Sequence, residues 1–224
     1  MRIGVMIGPE RGDSARKVAR MLDDVAWAEG AGLDTAWVPQ IPGDFDALTA
    51  VALMGTRTTR IELATAVVPI QAQHPVALAR QALSAQAATK GRLTLGIGPS
   101  HHWIIDGMLG LPYQRPAAYT RDYLEVLHAA FSTPGAVHVT NDTFTVHNPL
   151  GLAPVAKLPV LIAALGPVML ALAGERADGT VLWMADERSI STHVVPPHHQ
   201  GRRSRGPSRA AGRRGHPGLP VPPG

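Results

Sequence analysis

The densest chemistry in the chain lies between Gly91 and His102, in the stretch GRLTLGIGPSHH. A short apolar run breaks on Gly96 and Gly98 and passes directly into Pro99, Ser100, His101 and His102. Glycine lets a backbone approach a ligand closely, and serine and histidine beside it supply hydrogen bonds and a proton carrier. The two histidines are consecutive, so they do not share a helix face as metal ligands at i and i+4 do. As a dinucleotide fingerprint GIGPS is weak. It lacks the third glycine of G-x-G-x-x-G, comes at the fourth strand, and is followed by no clear acidic ribose ligand. The plain alternative is a tight strand–helix connection that uses glycine for geometry alone.

Composition removes other chemistries. The chain of 224 residues contains no cysteine, which excludes disulfides, thiolate nucleophiles and cysteine-ligated metals. No carboxylate pair, metal cluster or Ser-His-Asp order emerges. His74-Pro75 reads as a helix cap and start, and Arg80 and Arg92 as solvated or ion-paired rather than phosphate-binding. Apolar runs are frequent but short, none near the ~18–20 residues of a membrane span, and the N-terminus has no signal-peptide pattern. A cytoplasmic protein is the expectation. The net charge of +4 is uneven. Six of the 21 basic residues fall in 191–224, which has no acid, so residues 1–190 hold 15 basic against 17 acidic groups, or −2.

The elements that would position these residues alternate. Apolar strand-like runs (RIGVMIG, DTAWVPQ, RIELATAVVPI, GRLTLGIG, LPVLIAAL, DGTVLWMA) are separated by stretches of helical spacing. Ser14 is the expected cap of the first helix, and Asp44 lies near the start of the second. Tyr119, Tyr123 and Leu127 form a core stripe. AVHVTNDTFTVHN reads as an inserted hairpin turning at Asn141-Asp142. Six strand–helix units with near-continuous apolar strands predict a parallel sheet covered by helices, either doubly wound or closed as a barrel. A barrel is the preferred reading. Barrels keep their chemistry at the strand C-termini, and here those ends are rich in glycine, alanine and backbone. Such a mouth suits a flat cofactor that carries the chemistry itself. Trp183 at one strand end either walls the pocket or packs in the core.

HPVALARQALSAQAATKGRLTLGIGPSHH, the glycines at 107 and 110, and RPAAYTRDYLEVL together resemble the luciferase-like monooxygenase superfamily, on the branch of coenzyme F420-dependent oxidoreductases. TAWVPQ, IELATAVVP, VLIAALGPVML and ADGTVLWM fit the same pattern, and the resemblance runs from Met1 to about Val195. It implies a (β/α)8 TIM barrel of bacterial-luciferase type with an insertion, here incomplete at about six units. It also implies F420, or alternatively FMN, at the strand C-termini and hydride exchange with a small-molecule substrate. By the same resemblance, Ala66–Val67 is a non-prolyl cis peptide backing the cofactor. Gln40, Ala66, Val67, Gly98, Pro99, Ser100 and Gly166 bind it, and His101 or bound water gives the proton. Many F420 enzymes carry an Asp-His pair where this chain has Gln40-Ile41, and some an acid where it has His101. That favours reduction of an enone or imine over sugar-phosphate dehydrogenation. A homodimer through helices such as RPAAYTRDYLEVLHAAF is compatible with this reading.

After about residue 190 periodicity gives way to proline, glycine and arginine. The expectation is a luciferase-like domain over 1–190 and a disordered tail over 191–224. The tail lacks aromatic residues for base stacking, which argues against nucleic-acid binding. G/C-rich back-translation shifted by one base reads there as a helix end, a proline turn and a strand, so a frameshifted, truncated barrel of low stability and activity is expected.

Overall fold

The computed structural model describes residues 2–8, 12–132 and 135–204. Strand β1 (Gly4–Met6) leads to helix α1 (Ser14–Gly30), β2 (Thr35–Val38) and α2 (Ala47–Arg57). The third strand is split into β3 (Glu62–Thr65) and β4 (Val68–Pro69), followed by α3 (Pro75–Ala88) and β5 (Leu93–Gly98). A π-helical turn (Trp103–Met108) precedes α4 (Pro116–Ser132), and the hairpin β6 (Gly135–Thr140) and β7 (Thr145–Leu150) comes next. The chain then runs through β8 (Val160–Ala163), α5 (Pro167–Arg176) and β9 (Gly179–Val181). It ends in a short turn α6 (Glu187–Ser189), a π-helical turn (Ile190–Val194) and α7 (Val195–Ser204).

Helix starts follow side-chain capping. The first helix is capped by Asp13 rather than Ser14, which is already the first helical residue, and the second by Asp46, two residues after Asp44; each carboxylate accepts from the backbone N–H three residues on. Asp44 is instead paired with Lys17. His74 caps α3 as expected, its Nδ1 accepting from the Val76 N–H at 3.3 Å, with Pro75 at the first helical position.

The main sheet is parallel throughout and ordered β1-β2-β3-β5-β8-β9, with β4 continuing β3 along β5. With β4 taken as the continuation of β3 and the β6–β7 hairpin set apart, each strand pairs with the next in sequence, and no reversal point interrupts the order. A doubly wound sheet requires one, so the winding is that of a barrel wall. Right-handed crossovers carry every helix to the same side, and successive helices α1, α2, α3, α4 and α5 touch in turn. β5 is buried over its whole length, as a central parallel strand should be.

The hairpin forms where the sequence places it. The Asn141 side-chain oxygen accepts from the N–H groups of Thr143 and Phe144 at 3.1 and 2.8 Å, which closes the turn. Phe144 packs edge-on against Tyr119 and Tyr123, and Tyr123 and Leu127 are fully buried. The apolar face of α4 is therefore taken up by α3 and the hairpin.

Disorder from residue 191 is not observed up to residue 204. Residues 190–204 are helical and pack on α5, and they complete the sixth strand–helix unit. Composition misleads there because Pro196-Pro197 read as helix breakers, whereas the chain passes through them from the π-helical turn Ile190–Val194 straight into α7. The rest of the expected tail, 205–224, lies outside the described residues.

Candidate active site

The centre of the strand-end surface is built by β3, β4 and β5. Leu63 and Ala64 face Leu93 and Thr94, whereas Val68 and Pro69 face Ile97 and Gly98. Three residues, Thr65 to Val67, thus stand opposite two, Leu95 and Gly96, which makes a β-bulge. The Ala66–Val67 peptide inside it is cis, at the position the resemblance implies. The bulge is fixed from β5. Thr65 Oγ1 donates to the Gly96 carbonyl at 2.8 Å and accepts from the Gly96 N–H at 2.9 Å. A Cβ at Gly96 would lie 2.0 Å from the Thr65 carbonyl oxygen, so the contact exists only because residue 96 has none. At Gly98 a Cβ would fill the space beside Val67 and Ala163, at 3.0 and 2.9 Å.

The chain leaves β5 through Ser100, whose φ of +59° is left-handed and costs a non-glycine residue ~1 kcal/mol or more. Tyr113 holds it there, its hydroxyl donating to the Ser100 carbonyl at 3.1 Å, and burial raises the Tyr113 pKa, keeping the phenol protonated as a donor. His101 is exposed. Its carbonyl accepts from the Ile104 and Ile105 N–H groups, which starts the π-helical turn, and its ring stacks near-parallel on Trp103 with centroids 6.2 Å apart. His102 points elsewhere, toward Asp106 at 3.7 Å and the edge of Tyr113.

Three further strand ends complete the surface. After β2, the Gln40 side-chain oxygen accepts from the Ala47 N–H at 2.7 Å, so Gln40 ties the loop to the start of α2. After β8, Gly166 is exposed and caps α5 without a side chain, which leaves first-turn N–H groups open. Leu165 and Val168 beside it are exposed apolar groups, as are Trp183 and Met184 after β9. Trp183 is 66% exposed, which excludes the core-packing role. His193, from the π-helical turn before α7, reaches the Leu165 carbonyl through Nε2 at 2.7 Å. Sequence reading missed Tyr113 and His193. Tyr113 lies in a loop without periodicity, and His193 lies in a segment whose composition hid its helix.

Arg92 is neither solvated, ion-paired nor phosphate-binding. Its guanidinium donates to the carbonyls of Gly55, Thr58 and Ile61 and to Thr58 Oγ1, at 2.7–3.0 Å, and closes the C-terminus of α2. Arg80 lines a groove of about 570 Å³ between α2 and α3 with Asp46, Thr49 and Ser84. A second hollow, about 380 Å³, lies at the opposite end of the sheet, where Arg2 and Glu62 pair at 2.6 Å. The second is thus at the strand N-termini, and the groove lies between two helices rather than at the sheet. Among the described residues, no group of three or more histidine, aspartate or glutamate side chains could hold a metal ion, and no helix is long and apolar enough to cross a membrane.

A surface with a glycine cradle, backbone donors and apolar flanks, without clustered charge, fits a flat conjugated ring better than a metal or a charged nucleophile. Comparison with known proteins agrees. The luciferase-like monooxygenase profile matches residues 1–220. A Mycobacterium tuberculosis protein, named as a coenzyme F420-dependent oxidoreductase, is 30% identical over 192 residues, 80% of this chain and 54% of its own length. A 5,10-methylenetetrahydromethanopterin reductase of Methanolobus tindarius is 25% identical over 155 residues, 69% of this chain and 47% of its own. The chain thus spans about half the length of these relatives. In fold it is similar to the coenzyme F420-dependent tetrahydromethanopterin reductase of Methanopyrus kandleri, with a TM-score of 0.75, 23% identity, and coverage of 92% of this chain and 62% of that one. It is likewise similar to an F420-dependent secondary alcohol dehydrogenase solved with an F420-acetone adduct, with a TM-score of 0.81, 19% identity, and coverage of 92% and 64%. Sequential parallel winding, the bulge opposite Gly96 and a match over nearly the whole chain lead to one assignment: this chain belongs to the luciferase-like monooxygenase family.

Proposed function

We propose that the protein is an oxidoreductase that exchanges a hydride between coenzyme F420 and a small organic substrate of the enone or imine type. The observation that carries the reading is the strand-end surface itself, where the bulge and Gly98 present backbone beside apolar flanks and little ionisable chemistry. Coenzyme F420, when bound, supplies the hydride. Ala66, Val67 and Gly98 would hold the ring by backbone and close packing, with Pro99, Ser100 and Gln40 at its margins. Gly166 and the open N–H groups of the first turn of α5 would take up negative charge. The exposed Leu165 and Trp183 would exclude water from one side. His101 would deliver the proton that balances the hydride, one proton and one hydride adding across the reduced C=C or C=N bond.

Titration of the 224-residue chain into F420, followed by deazaflavin fluorescence, tests the reading. Saturable binding is expected. With reduced F420 and an enone, His101→Gln should lower turnover by about 10²-fold and change F420 affinity little. Equal turnover in the variant removes His101 from the chemistry, and failure to bind F420 removes the cofactor assignment. An FMN-dependent monooxygenase is the second reading. It is supported by fold similarity to a Pseudomonas putida type II Baeyer-Villiger monooxygenase solved with FMN, with a TM-score of 0.73 and 16% identity. Saturable FMN binding with oxygen consumption, and no F420 binding, would transfer the assignment to that branch.

A further inference from the structure

The inserted hairpin carries a pair of histidines that the proposed chemistry does not use. His138 on β6 and His147 on β7 are directly opposite each other in the antiparallel register. Both are exposed, and their Nδ1 atoms meet at 3.3 Å. Opposed residues on antiparallel strands have Cβ atoms ~5 Å apart, so two imidazoles on one face reach a common point without backbone movement. The neighbours along that face, Ala136 and Thr140 on β6 and Thr145 and Pro149 on β7, carry no charge. Among the described residues, no carboxylate is hydrogen-bonded to either ring.

We propose that His138 and His147 form a bidentate site for a divalent late transition-metal cation such as Zn²⁺, with water completing the coordination. With Zn–N bonds of ~2.0–2.1 Å, two nitrogens 3.3 Å apart subtend roughly 105–110° at the ion, close to the tetrahedral value. Imidazole suits these metals. Among the described residues, the consecutive histidine pairs lack this arrangement. His198 and His199 are consecutive in α7, with ring centroids 6.4 Å apart, and His102 is directed at Asp106. Bridging the strands would clip the hairpin in register, and a cation bound only by the folded hairpin raises its stability by mass action. The competing account of the contact is a single N–H···N hydrogen bond between neutral rings.

Calorimetric titration of Zn²⁺ into the full chain separates the two. A chelate predicts one site whose affinity falls at least tenfold in His138→Thr and equally in His147→Thr; threonine keeps the strand preference at both positions. A rise in the unfolding midpoint with Zn²⁺ should vanish in both variants. In the unsubstituted protein, ¹⁵N-edited NMR should show the imidazole nitrogens of both residues shifting together on Zn²⁺ addition, a readout independent of how the variants fold. Unchanged affinity in either variant, or a shift confined to one ring, would overturn the proposal.

Discussion

Glu29 shows how much one side chain can organise at a distance from the chemistry. It sits in the last turn of α1, and its carboxylate accepts from the backbone N–H groups of Thr59, Arg60 and Ile61 at 2.7–3.0 Å, just before β3. Burial pushes its pKa up, but these hydrogen bonds together outweigh burial and hold the carboxyl at about 2 instead of 4.5. A depressed carboxyl stabilises the fold fully above pH 4.5, and the contribution is lost as pH falls through 4.5 toward 2. Glu29→Gln should therefore cost about 1–2 kcal/mol at neutral pH, a figure held down by the partial exposure of the group. The gap between the two proteins should close on acidification to pH 2. Urea unfolding across that range checks it, and parallel curves for the two proteins would show that Glu29 does not carry the effect. Nothing in the local sequence announces this role, because a glutamate near a helix end is ordinarily a solvated one. The role of Arg92 is hidden in the same way, since most of its partners are backbone carbonyls that no motif encodes. The glycines of β5 were legible for the opposite reason. Two of them in an apolar strand point to a close approach, and Gly96 against Thr65 provides it.

At the scale of elements, periodicity carried most of the fold. The six strands, five of their helices and the Asn141-Asp142 hairpin stand close to where apolar spacing and turn chemistry put them. The split of the third strand had no periodic signal of its own and came through resemblance. The sixth helix was lost because α7, VPPHHQGRRS, has no apolar stripe and carries two prolines and a glycine. Its place is set by backbone packing instead. A Cβ on Gly201 would lie 1.9 Å from the Ala171 carbonyl oxygen, and one on Gly174 would lie 1.9 Å from the His198 carbonyl oxygen. Two glycines therefore let α5 and α7 touch backbone to backbone, where ordinary side chains would hold the helices 8–10 Å apart. Gly201→Ala must push α7 off α5, since the obstructing atom is main chain and cannot rotate away. Amides of residues 190–204 should then exchange with solvent at least tenfold faster, while those of β5 stay protected. Unchanged exchange across 190–204 would mean that α7 is not docked on α5.

For the whole molecule the decisive feature is where the sheet stops pairing. β5 is bonded on both sides and buried along its length. Among the described residues, β1 is bonded only to β2 and β9 only to β8. β1 is also accessible, with Gly4 exposed and Met6 47% exposed, and β9 is half-buried throughout. A parallel strand with one open side presents a row of N–H and C=O groups that another strand can complete, and a charged side chain on such an edge opposes that pairing. Neither Gly4–Met6 nor Gly179–Val181 contains a charged residue or a proline. The chain should therefore self-associate as its concentration rises. Met6→Lys, at an exposed position in β1, should weaken that association roughly tenfold, about 1.4 kcal/mol, with the unfolding midpoint little changed. Sedimentation velocity over a wide concentration range reads this directly. A single species at every concentration would show that both edges are covered in solution. Association unaffected by Met6→Lys but reduced by Val181→Lys would place the contact at β9 instead. The same experiment run with F420 present connects the edges to the proposed site, because β1 and β9 end at the surface that Trp183 and Leu165 flank. If ligand and a second copy compete for that surface, saturating F420 should shift the distribution toward monomer.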